Sequence, residues 1–179
     1  MVSIMEELIL VKPSAEYAEE IKEYRQEFLD AGDSMDGTGP LRRSESPEEY
    51  IKTCAEYEDP EKVPLHLVPA TQFLFVRKND NELVGMLQVR HYFNDYLERY
   101  ADHIGYSVRP SERRKGYAKQ MLKTALPFCR EIGLDKVLIT CVDGNVGSEK
   151  TILANGGIYE STVNEPNEHK DLKRFWIEL

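Results

Sequence analysis

The spacing of hydrophobic residues predicts a strand and two helices in the first third of the chain. A four-residue apolar run is followed by Lys12-Pro13, which ends a strand. Ser14 can cap a first helix, and Ser46-Pro47 is a typical start for a second one. A polar loop rich in glycine separates the two helices. The predicted strand covers residues 8–11, the helices residues 14–32 and 47–57, and the loop residues 31–40.

The rest of the chain is dominated by patterns typical of strands. Two runs rich in Phe, Val and Leu flank "KNDNE", which predicts a hairpin, and the run "HIGYSV" ends at Pro110. The segment "NDYLERY" between them is read as a polar connection. A helix with an internal Pro127, expected to kink it, precedes a nearly all-apolar strand and a short helix. These elements are predicted at residues 71–77, 83–92, 103–108, 118–132, 136–142 and 148–155, with closing strands at 158–163 and 172–179.

The resulting order is β-α-α-β-β-β-α-β-α-β-β. This order predicts an α/β protein with a mixed sheet flanked by helices. A chain of 179 residues is long enough for one sizeable core. We therefore expect a single domain over residues 1–179.

Composition and charge exclude several classes of function. The net charge of -9 disfavours binding to nucleic acid, because the chain would repel a phosphate backbone. No apolar stretch approaches the roughly 20 residues that cross a bilayer, and no basic region precedes the first short apolar run. Cys54, Cys129 and Cys141 lack metal-ligand spacing, so we expect reduced thiols and no metal site. The chain is predicted to be cytoplasmic and to bind neither nucleic acid nor a membrane.

The stretch "SERRKGYAKQML" places a basic, glycine-bearing turn between a strand and a helix. A helix N-terminus offers unpaired N–H donors, so this junction is suited to a phosphate group. The turn lacks the first glycine and the Ser/Thr of a Walker-type loop, and no dinucleotide-binding GxGxxG occurs near the start of the chain. From these residues alone, a solvated basic loop remains an alternative.

The same stretch resembles the signature of the GNAT superfamily, the acetyl-CoA-dependent N-acyltransferases. The family loop [QR]-x-x-G-x-[GA] is present as Arg113 to Ala118, between a strand and a helix. A buried strand, the segment "DGNVGSEKTILANGG" and two closing strands follow in the family order. The resemblance covers nearly the whole chain, from Leu8 to Leu179, and implies a GNAT-like fold with acetyl-CoA as acyl donor.

The resemblance implies a set of residues that contact coenzyme A. Backbone N–H groups of the basic turn would hold the pyrophosphate, and the end of the preceding strand would pair with the pantetheine arm. An asparagine would hydrogen-bond the same arm, and a serine would contact the adenine-phosphate end. The implied residues are Val108, Arg113, Arg114, Lys115, Gly116, Tyr117, Ala118, Asn145 and Ser148.

Transfer to an amine needs a base, because an ammonium has no lone pair. Family members that use a carboxylate base often carry it about eleven residues before the loop, a position held here by Asp102. His103 is the alternative, since its ordinary pKa suits a base better. The family tyrosine that serves as acid is replaced by Ile152, and Tyr159 is the candidate substitute.

The acceptor of the acyl group is expected to be a small-molecule or peptide amine. Carboxylates and aromatic residues in the segments 30–43 and 91–100 favour a cationic acceptor through ion pairs and cation–π contacts. Arg42 and Arg43 could instead bind a carboxylate or phosphate of the substrate. A catalytically silent acyl-CoA-binding module is the alternative to an enzyme. The resemblance also makes a homodimer possible.

Overall fold

The computed structural model describes residues 6–179, which form seven strands and five helices. The strands are β1 (Leu8–Val11), β2 (Ala70–Arg77), β3 (Leu83–Arg90), β4 (Ile104–Val108), β5 (Lys136–Val142), β6 (Ile158–Glu165) and β7 (Lys170–Glu178). The helices are α1 (Ala18–Ala31), α2 (Pro47–Tyr57), α3 (Asp95–Tyr100), α4 (Tyr117–Glu131) and α5 (Val146–Ala154). This order confirms the predicted α/β class.

The strands form two sheets whose neighbours all pair in antiparallel fashion. One sheet has the order β1-β2-β3-β4 and the other the order β5-β7-β6. The hairpin of β2 and β3 and the strand β5 agree with the sequence patterns. The two sheets are separated between β4 and β5. In the sequence, the basic turn and α4 connect these two strands.

One local feature differs from the sequence prediction. The segment predicted as a polar connection contains the short helix α3, which forms because the Asn94 side chain accepts a hydrogen bond from the Leu97 N–H at 2.9 Å. Helix α4 continues through Pro127 to Glu131, close to its predicted end at residue 132. One missing backbone hydrogen bond does not end this helix, because its apolar face, including Cys129, is buried in the core.

Two hydrophobic clusters lie on opposite faces of the first sheet. Successive residues of β2 point to opposite faces, so Leu74 packs with α1 and α2. Phe73 and Phe75 pack with α4 and with the inner face of the second sheet. The first sheet is therefore covered on both faces, and β4 is its edge strand next to the second sheet.

Strands β4 and β5 meet at one point and then separate. The His103 N–H donates to the Leu138 carbonyl at 2.9 Å, and the Leu138 N–H donates to His103 Nδ1 at 2.9 Å. Beyond this point no ladder joins the two strands. The separation leaves one edge of β4 without a strand partner.

The polar loop between α1 and α2 lies directly on β4. Gly37 has a φ of 69°, and a Cβ at this residue would overlap the Gly105 carbonyl. Only two glycines facing each other allow so close an approach of the backbones. The loop thereby forms one wall above the gap between the sheets.

Buried Arg109, directly after β4, is surrounded by carboxylates. Its guanidinium lies 2.6 Å from Glu27 of α1 and 3.3 Å from Glu82 of the hairpin. Glu27 also accepts a hydrogen bond from the Ser111 N–H at 2.6 Å. Burial alone would raise the pKa of Glu27, but the hydrogen bonds from Arg109 and Ser111 lower it. Helix α1 therefore holds the chain immediately before the basic turn.

Replacing Arg109 by alanine is expected to lower the free energy of unfolding at neutral pH by about 3 kcal/mol, because buried ion pairs are costly to break from one side. Glu27, with its lowered pKa, stabilises the fold above its ordinary pKa of 4.5, and this contribution is lost as the pH falls through the lowered value. The cost of Arg109→Ala should therefore shrink as the pH falls below 4.5. Urea unfolding at neutral pH and over this acidic range measures the cost. The control Lys12→Ala breaks an exposed pair with Glu58 and should cost under about 1 kcal/mol; equal costs would contradict the prediction.

Candidate functional site

A cleft with a volume of about 580 Å³ opens where β4 separates from the second sheet. It is lined by the end of β4, the basic turn, the first residues of α4 and α5, and the loop after α1. Eight of the nine residues implied for coenzyme A line it, and only Lys115 does not. The eight are Val108, Arg113, Arg114, Gly116, Tyr117, Ala118, Asn145 and Ser148.

The basic turn presents backbone donors to the cleft. Gly116 precedes α4 with a φ of 80°, and no side chain caps the helix. The first N–H groups of the helix therefore have no partner within it. Arg114 also has a positive φ, of 63°. Alternating left-handed residues turn successive N–H groups to one side, and such a concave arrangement binds anions.

The side chains of the turn mostly stabilise the turn itself. Arg113 pairs with Asp33 at 2.7 Å and donates to the Val108 carbonyl at 3.2 Å. Lys115 pairs with buried Glu112 at 2.7 Å. Arg114 has no ion-pair or hydrogen-bond partner within residues 6–179. Backbone N–H groups and Arg114 are therefore the donors available to a ligand.

The free edge of β4 faces the cleft. The Arg90 N–H donates to the His103 carbonyl at 2.7 Å, and the Arg109 N–H donates to the Val84 carbonyl at 2.8 Å. Backbone N–H and C=O groups alternate in direction along a strand, so those of the odd-numbered residues of β4 point toward β3. The backbone groups of Tyr106 and Val108 consequently point into the gap, where an extended amide chain could pair with them.

The start of α5 forms the opposite wall. Asn145 caps this helix by accepting the Ser148 N–H at 3.2 Å. The amide nitrogen of Asn145 has no partner within the described part of the chain, so it remains available as a donor. The Ser148 hydroxyl lies 2.8 Å from the Tyr106 hydroxyl, which spans the cleft from β4.

Tyr106 is a functional candidate that the sequence reasoning missed. Its hydroxyl lies in the cleft, and burial raises its pKa to about 12, although the hydrogen bond with Ser148 works in the opposite direction. The group therefore keeps its proton at neutral pH. The only sequence signal was strand alternation, which places Tyr106 on the same face as Val108 and says nothing of its reach to α5.

Asp102 lies at the point where β4 and β5 meet. One carboxylate oxygen pairs with Arg90 at 2.9 Å, and the other accepts hydrogen bonds from the N–H and hydroxyl of Thr140, both at 3.3 Å. Burial raises the pKa of Asp102, although Arg90 and Thr140 oppose the shift. The carboxyl is thus a stronger base than an exposed aspartate, and its charge is close enough to influence Tyr106.

His103 is buried beside Asp102 and stacks on the Phe93 ring, with the centroids 3.9 Å apart. Its Nδ1 accepts the Leu138 N–H, and so the ring proton of the neutral imidazole is on Nε2. Burial lowers the pKa of His103 to about 4, and the charge of Arg90 adds to this effect. The geometry makes His103 a joint between the two sheets and a weak base.

Tyr159 is not brought together with the other candidates. It lies on β6, 54% exposed, with its hydroxyl 2.7 Å from the Thr162 hydroxyl. It does not line the cleft. Ile152, at the position of the family tyrosine, is fully buried in the core and offers no acid there.

Residues 6–179 contain neither a metal-ligand cluster nor a membrane-spanning helix. No group of three or more His, Cys, Asp or Glu side chains is placed to hold a metal ion there. In the same part of the chain, no helix has the length and apolar character needed to cross a membrane. The three cysteines are buried and unpaired.

Solved structures of low sequence identity share this fold over nearly the whole chain. A ribosomal-protein-S5-alanine acetyltransferase from Vibrio fischeri gives a TM-score of 0.70 at 17% identity, over 99% of this chain and 95% of its own. RimJ from Mycobacterium smegmatis, solved with CoA-disulfide, gives 0.70 at 16%, over 96% and 81%. The microcin C7 self-immunity acetyltransferase MccE, solved with acetyl-CoA and AMP, gives 0.69 at 18%, over 97% and 93%. At these identities the likeness establishes the fold.

The sequence itself identifies the family. A search of curated proteins finds no match. The model of the "Acetyltransferase (GNAT) family" matches residues 38–154, a region that runs from the loop before α2 to the end of α5 and includes the basic turn. Members of this family use acetyl-CoA. The chain therefore belongs to the GNAT family of acetyltransferases and is an acyltransferase with acetyl-CoA as its donor.

Proposed function

We propose that the protein transfers an acetyl group from acetyl-CoA directly to a primary amine of a small molecule or peptide, with both substrates bound together. The observation that carries this proposal is the cleft, in which an uncapped helix N-terminus adjoins the free edge of β4. An extended molecule with a pyrophosphate at one end and amides along its length matches both features.

Two groups of residues bind two different parts of acetyl-CoA. The N–H groups from Arg114 to Ala118 hold the pyrophosphate, with Arg114 as the free side-chain cation. The backbone of Val108 and the amide of Asn145 hold the pantetheine arm from opposite walls. Arg113 and Lys115 contribute by stabilising the backbone of the turn, because their own charges are paired with Asp33 and Glu112.

Acetyl-CoA supplies a thioester, whose carbonyl carbon is the electrophile. Asp102 takes a proton from the acceptor through a water molecule, because both of its oxygens have protein partners. The amine then forms a bond to the carbonyl carbon while the carbon–sulfur bond breaks. The Val108 N–H stabilises the developing negative charge on the carbonyl oxygen. The Tyr106 hydroxyl, paired with Ser148, donates a proton to the leaving thiolate and regains one from the second proton that the amine nitrogen loses as the amide forms.

Substitution Gly116→Glu is expected to weaken acetyl-CoA binding at least about 100-fold, because a carboxylate in the turn repels the pyrophosphate and fills its space. Calorimetric titration measures the change. Gly133→Glu is a matched control: Gly133 follows the other end of α4, has a φ of 94° and lies outside the cleft. Equal binding losses in both variants would show that helix damage, not the cleft, is responsible.

Tyr106→Phe is expected to lower kcat about 10- to 100-fold and leave the KM for acetyl-CoA nearly unchanged, because it removes only the hydroxyl. Tyr159→Phe, at the exposed position on β6, is the matched control and should retain parental activity. Steady-state thiol release measures both. A loss of activity in Tyr159→Phe with none in Tyr106→Phe would reverse the two assignments.

Asp102 must be deprotonated to act as a base, so kcat should rise with pH through its raised pKa. Asp102→Asn should abolish this acid limb and lower kcat by about 100-fold or more, with acetyl-CoA binding retained. A pH–rate profile of both proteins measures the effect, with thermal melting as a check on folding. An unchanged acid limb in the variant contradicts the assignment. Acetyl-CoA binding by the parent without turnover of any amine would favour a silent binding module.

A further inference from the structure

A second cavity, with a volume of about 440 Å³, lies against the end of β3. Gln88 and Arg90 line it and alternate along the strand with the core residues Leu87 and Val89. They therefore point to the face of the sheet that carries α1 and α2. No residue lines both this cavity and the acetyl-CoA cleft. A molecule can thus occupy it while acetyl-CoA is bound.

The lining of this cavity is basic, although the chain has 32 acidic and only 23 basic residues. It includes Arg43, His66 and Arg90, and none of its lining residues is Asp or Glu. Arg43 donates to the Tyr57 hydroxyl at 2.6 Å and has no carboxylate partner within residues 6–179. Arg90 uses Nη1 for Asp102, which leaves its Nε and Nη2 without a partner in the described chain. Free guanidinium donors in a concave site suit an anionic group.

Buried Gln72, which lies beside Gly39 but does not itself line the cavity, has unmet hydrogen-bonding capacity. Gly39 lines the cavity, and a Cβ at this residue would lie 3.0 Å from both Gln72 Oε1 and Gln88 Nε2. Gln72 is 3% exposed, and its Oε1 has no partner in the described chain. A buried acceptor of this kind is normally satisfied by a water molecule or a ligand. The region beside Gly39 therefore has a buried acceptor that a water molecule or a ligand could satisfy.

The cavity adjoins the proposed base. Arg90 reaches from it to the Asp102 carboxylate at 2.9 Å. The Tyr106 side chain lies on the other face of the sheet, because Tyr106 is paired in register with Leu87. A small molecule anchored at Arg43 and Arg90 can therefore present its other end toward Asp102.

The acidic residues expected to bind a cationic acceptor are not found here. Asp33 and Asp36 line the acetyl-CoA cleft, and Asp33 is paired with Arg113. Asp30 accepts a hydrogen bond from Gln26 on the surface of α1. The basic lining of the second cavity instead favours the alternative expectation, in which Arg43 binds a carboxylate or phosphate of the substrate.

We propose that this cavity binds the acceptor by an anionic group, so that the preferred substrates are small primary amines that also carry a carboxylate or a phosphate. This proposal rests on the proposed acetyl transfer to an amine. It makes Arg43 and Arg90 residues that determine acceptor specificity.

The test compares amines that differ only in the anionic group. Ethanolamine is paired with O-phosphoethanolamine, and propylamine with β-alanine, so that the two pairs distinguish phosphate from carboxylate. An alanine peptide with an amidated C-terminus represents a peptide amine. Thiol release gives kcat/KM for each amine, and at least one anionic amine should exceed its neutral partner about 10- to 100-fold.

Two arginine variants make the comparison specific. Arg43→Glu should abolish the preference for the anionic amine. Arg42→Glu is the matched control, because it makes the same charge change at a residue that donates to the Asp33 carbonyl and lies outside the cavity lining, and it should leave the preference intact. Equal kcat/KM values within both pairs, or a preference for the peptide amine, would overturn the proposal and leave the proposed function standing.

A binding measurement separates the remaining outcomes. If no amine is acetylated, the protein loaded with coenzyme A is titrated calorimetrically with O-phosphoethanolamine and with β-alanine. Binding that Arg43→Glu abolishes would retain the anion site while the proposed function fails. The absence of binding by both amines would overturn the anion site as well.

Discussion

Strand β4 has a strand partner on only one edge, and the rest of the site depends on this. The His103–Leu138 contact joins the two sheets at one point, beyond which the backbone of Tyr106 and Val108 has no strand partner on this edge. Unpaired strand groups are costly when buried but useful when an extended ligand can pair with them. On the far side of the gap, the Ser148 hydroxyl of α5 lies 2.8 Å from the Tyr106 hydroxyl.

An acidic protein that uses acetyl-CoA must attract a polyanion, and the pyrophosphate site proposed at the basic turn offers a way to do so. Two of its three basic side chains, Arg113 and Lys115, are paired with Asp33 and Glu112. These pairs fix the backbone that carries the N–H donors. Fixed backbone dipoles attract an anion without placing a cluster of free cations in the cleft. The turn therefore carries less unpaired positive charge than its three basic residues suggest.

The sequence patterns predicted most elements because those depend on local spacing and caps, as with Ser46 at the start of α2, whose side chain accepts the Glu49 N–H. The basic turn was predictable for the same reason. What could not be predicted depends on contacts between distant residues. Tyr106 meets Ser148 only because β4 lies beside the start of α5, and Arg90 meets Asp102 only through the register of β3 on β4. The short helix α3 was missed because six residues carry too little periodicity.

Burial gives the two proposed proton-transfer groups complementary properties. It raises the pKa of Asp102, which makes the carboxylate a better proton acceptor, and it raises the pKa of Tyr106, which keeps the hydroxyl protonated. The two groups are buried at different places: Asp102 lies where β4 meets β5, and the Tyr106 hydroxyl lies further along β4 against the start of α5. Opening the first place to water would weaken the base, and opening the second would lower the pKa of the tyrosine and allow the acid to ionise closer to neutral pH. The contact between His103 and Leu138 holds β4 against β5 beside Asp102, so His103 supports the proposed base although it is itself a weak base.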